Sequence, residues 1–258
     1  MPLKIIDSTD RKLESKIGEI ANEMIRKARI TSLDNRDVVI KVCVDYCEDI
    51  RQKTGRPKNV LFDLLMSEES GCIISNFQRN PPEFYIFLQS RIFDDSNGTS
   101  VVIHEVAHLI NSLHYYKQYC ENDKKSRHTY SRAFGFWTEF YATRKEMLTE
   151  KKELLKKGQK ARLDRVANHL VEKIKALRFP SSKLYSLARY YAVLSINDRY
   201  EPRDFGDHVF PRDYIGKEFF DESLSLYSLI SKCHSYTGFN KHKIKMEETI
   251  KNFEDNFF

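Results

Sequence analysis

The run Val101 to Leu113 constrains this chain more than any other stretch. It reads Val-Val-Ile-His-Glu-Val-Ala-His-Leu-Ile-Asn-Ser-Leu. Two imidazoles and a carboxylate sit inside a segment apolar enough to be buried, and burying them requires a metal or hydrogen-bond partners. On an α-helix, residues four apart share one face. His104 and His108 can therefore turn two ring nitrogens to one cation. Glu105 lies about a third of a turn further round, too far to ligate in this geometry but near enough to take a proton from a water held by the metal. His-Glu-x-x-His is the pattern in which a helix binds Zn²⁺ and supplies a general base. The plainer reading is a helix whose histidines are hydrogen-bonded within the fold.

The composition suits an ordinary globular chain. Of 258 residues, 41% are hydrophobic and 31% charged, which excludes a disordered chain and leaves enough apolar material for a core. Only 9 Gly and 7 Pro argue against a loop-rich all-β fold and favour long helices. The net charge of +6, from 43 basic and 37 acidic residues, permits nucleic acid as a partner but does not indicate it. The cysteines, Cys43, Cys47, Cys72, Cys120 and Cys233, are odd in number and irregularly spaced. That pattern speaks against a cysteine zinc site and for reduced thiols in a cytoplasmic setting. Met1 to Lys16 is charged throughout and lacks the apolar centre of a signal peptide. No run approaches 18 uncharged apolar residues, so no membrane span is expected.

Periodicity predicts an amphipathic helix from about Asp10 to Arg29, with Leu13, Ile17, Ile20, Ala21, Met24 and Ile25 on one face. Val38 to Gln52 fits a helix best, closed by Gly55 and Pro57. Two strands, Gly71 to Ile74 and Phe84 to Leu88, flank a turn or short loop at Gln78 to Pro82. After a turn at Asp94 to Gly98, Thr99 or Ser100 is placed to cap a helix from Val101 to about Lys117. A polar loop, Cys120 to Ser131, leads to a second long helix from near Arg132 past Met147. The Lys- and Arg-rich stretch Glu150 to Arg165 reads as a solvated helix face or a helical connection. Further helices are expected at Leu163 to Leu177, Ser181 to Ile196, Lys217 to Cys233 and Lys241 to Phe257, with a loop from Asn197 to Asp213.

Two histidines leave a zinc site incomplete, and two residues compete to be the third protein ligand. Glu139 stands in Trp137-Thr138-Glu139-Phe140-Tyr141-Ala142, and His114 follows His108 by six positions. His-Glu-Val-Ala-His followed, after a loop, by a helical Glu-Phe-Tyr-Ala resembles the gluzincins, zinc peptidases whose third ligand is a glutamate on a second helix. The closest resemblance is to small gluzincin-like proteins of bacteria and phages, including the ImmA/IrrE type. It spans roughly Gly71 to Met147. The resemblance implies a small antiparallel sheet packed on the motif helix, an edge strand lining the cleft, and Glu139 as ligand.

Glu139 has a separate physical case. On a helix it shares a face with Phe136, Ala142 and Thr143, where a carboxylate needs a cation; otherwise it points to solvent or pairs with Arg132 or Arg144. His114 fits the metzincin spacing His-Glu-x-x-His-x-x-Gly-x-x-His, with Asn111 in place of the glycine. Leu109, Ile110 and Leu113 continue the apolar stripe without a break. In an unbroken helix six residues turn His114 about 240° away from the histidine face.

The expectation is an α+β, mostly helical fold. Residues 1–150 would form a zincin-like core with N-terminal helices, and residues 151–258 a helical extension packed on it. The expected activity is that of a zinc metallopeptidase acting on a peptide or protein. His104, His108 and Glu139 would hold Zn²⁺ and Glu105 would act as general base on the activated water. The strand at Phe84 to Leu88 would align an extended peptide by backbone pairing. A donor for the oxyanion would come from Tyr190, Tyr191, His169, His208 or His234. Two alternatives stand beside this reading: a regulatory or nucleic-acid-associated protein with a structural zinc site, motivated by Lys151 to Arg165, and a toxin-like effector protease.

Overall fold

The apolar run that begins at Val38 forms a strand, not the helix its composition suggested. In the computed structural model, which describes residues 3–30, 37–59, 66, 69–77, 82–94, 98–121, 128–149, 169–170, 180–200 and 220–257, the chain divides into two units, Met1–Arg127 and His128–Phe258.

The first unit is built on a four-stranded sheet. Its strands are β1 (Lys4–Asp7), β2 (Asp37–Cys43), β3 (Gly71–Asn76) and β4 (Glu83–Gln89), in the order β1-β2-β4-β3. Helix α1 (Glu14–Lys27) connects β1 to β2, and α2 (Tyr46–Thr54) follows β2. A short 3-10 turn at Ser90–Phe93 leads from β4 to the long helix α3 (Gly98–Tyr119).

β2 is a parallel strand with neighbours on both sides, and Val38, Val39, Ile40, Val42 and Cys43 are all buried. A strand covered on both faces loses its alternation and reads as a continuous apolar run, which periodicity cannot tell from a buried helix. The switch to helix occurs at Asp45, whose side chain accepts a hydrogen bond from the Glu48 N–H at 3.0 Å. Gly55 closes α2 in the left-handed region (φ 67°), where a Cβ is disfavoured. β1 went unread because four residues on a sheet edge carry too little pattern.

The sheet is mixed, not antiparallel: β1-β2 and β2-β4 pair parallel, and only β3-β4 is antiparallel. A consequence is that Phe84 to Leu88 lies on an interior strand. Its backbone groups are engaged by β2 on one side and β3 on the other, so it cannot align a peptide by strand addition. The edge strand beside it is β3.

Directly paired residues point to the same face of a sheet. Gly71, Ile73 and Ser75 therefore share a face with Leu88, Ile86 and Phe84. That face carries α3, which packs on β3 and β4 with α1 alongside. Phe77, just past β3, fills the junction, with its ring 5.8 Å from Phe84 and 5.6 Å from Tyr116. On the opposite face Phe87 packs with Cys43 and with Tyr46 and Ile50 of α2.

The second unit is helical where it is described: α4 (Ser131–Thr149), α5 (Pro180–Tyr200), α6 (Phe220–Ile230) and α7 (Tyr236–Phe257). α4 packs on α5 and α7, and α6 on α7. Trp137, fully buried on α4, centres this core. Its ring stacks on Phe239 at 4.8 Å, and its Nε1–H donates to the Cys233 carbonyl at 2.8 Å, so a large apolar surface is buried without orphaning the indole donor.

The α+β class with a helical majority is the one observed. Several boundaries moved. α3 starts at Gly98, so Thr99 and Ser100 lie inside it and do not cap it. α5 runs to Tyr200 through residues assigned to a loop, and α7 begins at Tyr236, five residues early. The basic stretch Glu150 to Arg165, the helix at Leu163 to Leu177 save for residues 169–170, and positions 201–213 lie outside the described residues. All five cysteines are free thiols. No helix among the described residues is long and apolar enough to cross a membrane.

Candidate metal centre

Helix α3 is buried over most of its length. Val102, Val106, Ala107, Leu109 and Leu113 anchor it while His104, Glu105 and His108 ride on the same rigid element. The three polar side chains are only 6%, 6% and 8% exposed. The histidine rings face each other with centroids 4.8 Å apart, and their Nε2 atoms are separated by 3.1 Å. One ring can donate a proton to the other at that distance, or both lone pairs can turn to one cation.

Glu139 lies in the middle of α4 and is fully buried. The Thr143 hydroxyl, one turn on, donates to its Oε1 at 3.3 Å, and the Arg189 Nε of α5 stands 3.6 Å from the same oxygen. Burial excludes the solvent-facing alternative for Glu139. Arg132, one of its expected partners, instead pairs with Glu247 and Glu254.

His104, His108 and Glu139 form a group that could hold a metal ion: one potential ligand atom from each lies within 4.8 Å of the others, and all three residues are buried. The donor set of two imidazoles and a carboxylate matches what zinc takes in sites with an open position. Two nitrogens bound at about 2.05 Å to a tetrahedral zinc stand about 3.3 Å apart. The observed 3.1 Å between the Nε2 atoms is close to that spacing. These residues fit a zinc ion.

His114 is not part of the group. α3 continues unbroken through Asn111, and His114 sits half-buried off the histidine pair. Burial, and then the Lys117 charge, hold its pKa below the usual histidine value. The bend that metzincin spacing needs is absent from α3.

Glu105 rests against the first residue of the edge strand. A Cβ added to Gly71 would lie 2.9 Å from the Glu105 Cγ and 3.1 Å from Oε1. Glycine at this position lets the carboxylate lie against the strand backbone. Nearby, burial foremost, with added repulsion from the Glu105 charge, pushes the Cys72 thiol up to about 12 and the Tyr46 phenol above its ordinary range. Both groups stay protonated at neutral pH. Cys43 and Cys47, four apart on the chain, belong to the α2 side of the sheet; Cys43 is buried and its thiol is likewise pushed up, chiefly by burial.

The expected oxyanion donors are scattered. Tyr190 and Tyr191 are fully buried in the core of the helical unit, His169 and His234 are exposed, and His208 lies outside the described residues. Sequence reading missed Gly71 and Arg189. A glycine opening an apolar strand is a sign of close approach by another group, whereas Arg189, 50 positions beyond Glu139, carries no local signal.

Compared with protein-family models, with curated proteins and with solved structures, the chain matches none. The resemblance to gluzincins therefore stands on the motif residues and on the grouping of His104, His108 and Glu139.

Proposed function

We propose that this protein is a zinc-dependent peptide-bond hydrolase. The observation that carries the reading is the buried His104, His108 and Glu139 group, with Glu105 next to His104 on the same helix. Zinc fits this nitrogen- and oxygen-donor set better than a hard cation that prefers only oxygen. When bound there, zinc would supply a Lewis acid that polarises a scissile carbonyl and makes water more acidic.

The chain's own residues supply the rest. His104 and His108 present Nε2 from one rigid helix face, which limits the reorganisation needed for binding. Glu139 contributes the single carboxylate. The Glu105 carboxylate, steadied against Gly71, accepts the proton of the attacking water and returns it to the leaving amine. The mostly buried setting weakens solvent screening around these charges. The substrate is a peptide or protein segment.

Glu105→Gln tests this reading, because the amide keeps the shape and cannot take the proton. Zinc-loaded wild-type protein should cleave members of a peptide library. The variant should retain its zinc and lose roughly a hundredfold or more in rate. Equal rates in the two proteins would remove Glu105 from the chemistry. Stoichiometric zinc with no cleavage by wild type would favour a structural site.

A further inference from the structure

Glu139 is the more deeply buried of the two site carboxylates, 0% exposed against 6% for Glu105. It lies on α4, the helix that gives Phe136 and Phe140 to the core of the helical unit. An ionised carboxylate in such a place is unfavourable by several kcal/mol unless it is paired. Two groups converge on one of its oxygens. The Thr143 hydroxyl donates to Oε1 from the next turn of α4, and the Arg189 Nε approaches the same Oε1 at 3.6 Å from α5.

The Arg189 side chain spans two environments. Its Nε is buried, while the side chain as a whole is 29% exposed. The Nε lies near the carboxylate while part of the side chain meets solvent, so arginine sheds less hydration here than a fully buried cation would. A buried ion pair is a weak source of stability, since a well-packed apolar pair of similar volume often does as well. Its presence beside a potential metal ligand calls for another role. Groups that hold a ligating carboxylate by its second oxygen or by its charge set that ligand's orientation.

We propose that Arg189 is a positioning residue for the metal centre: with Thr143 it fixes the Glu139 carboxylate in the orientation that completes the His104, His108 and Glu139 group. This rests on the metal reading above. Arginine is specific to the task because its Nε lies partway along the side chain, level with Oε1. A lysine of similar length carries its charge at a flexible, strongly hydrated tip and has no donor at that point.

The test uses full-length protein with Arg189→Met and Arg189→Lys. Zinc affinity is measured against a competing chelator, and the visible spectrum of the cobalt-substituted protein reports ligand geometry. Thermal melting of each metal-free protein monitors the fold. Arg189→Met should bind zinc about 10–100-fold more weakly than wild type, the usual loss when an outer partner of a ligand is removed. Arg189→Lys should lose less, and both cobalt spectra should shift. If Arg189→Met does not fold, Arg189→Lys decides alone. Wild-type affinity together with an unchanged cobalt spectrum in Arg189→Lys overturns the proposal. Failure of the wild-type protein to bind zinc would instead overturn the metal reading, and this inference with it.

Discussion

The two buried glutamates of the site are held in opposite ways. Glu105 lies on α3 in the α/β unit, against strand backbone, where a glycine leaves room for it. Glu139 lies on α4 in an aromatic helical core, with Thr143 and Arg189 both on its Oε1. A general base has to exchange a proton on every turnover, and a close backbone wall can limit its position without neutralising it. A metal ligand has to stay ionised and keep one orientation, which an arginine and a hydroxyl enforce. Under the proposed function, the difference suits two residues of identical chemistry to separate roles.

Substitutions can break this comparison, and their expected effects fall in a clear order. Replacing both His104 and His108 with alanine should abolish zinc binding, read by elemental analysis of protein purified without added metal. Full zinc content in that double variant would leave the comparison without a site. Glu139→Ala should weaken zinc by more than the roughly 10–100-fold typical of losing an outer partner, because a ligand itself is lost. Chelator competition measures this.

Gly71→Ala sharpens the Glu105 side. The added methyl would meet the Glu105 side chain at 2.9 Å, so the carboxylate has to move. Small misplacements of a reacting group can reduce rates by up to about a hundredfold. We expect a loss of about tenfold in kcat/KM with zinc content unchanged. Wild-type kinetics in this variant would show that the contact does not position Glu105. The smallest effect belongs to His114→Ala, which should leave zinc affinity nearly unchanged. A large loss there would move the third ligand to His114.

The motif helix was legible because its signal is local: two histidines four apart, inside an apolar run that only burial explains. Glu139 was legible as a residue, since the helical face it shares with Phe136 and Ala142 demanded a cation. Its Arg189 partner was not, because the fold alone brings α5 against α4. β2 was lost for a different reason. Val38-Val39-Ile40 is buried on both faces of a parallel strand and shows no alternation. Asp45, whose side chain caps α2, marked where the strand had to end. Once β2 is a strand, β4 becomes interior and β3 becomes the edge beside the motif helix. That change moved the expected peptide-aligning strand out of reach of any peptide.

The most direct measurement is a crystal structure of zinc-loaded protein with diffraction collected at the zinc absorption edge. The account predicts one strong anomalous peak within ligand distance of His104 Nε2, His108 Nε2 and a Glu139 carboxylate oxygen, about 2.0–2.2 Å from each. A peak bound by His104, His108 and His114, or one placed away from Glu139 altogether, would contradict it.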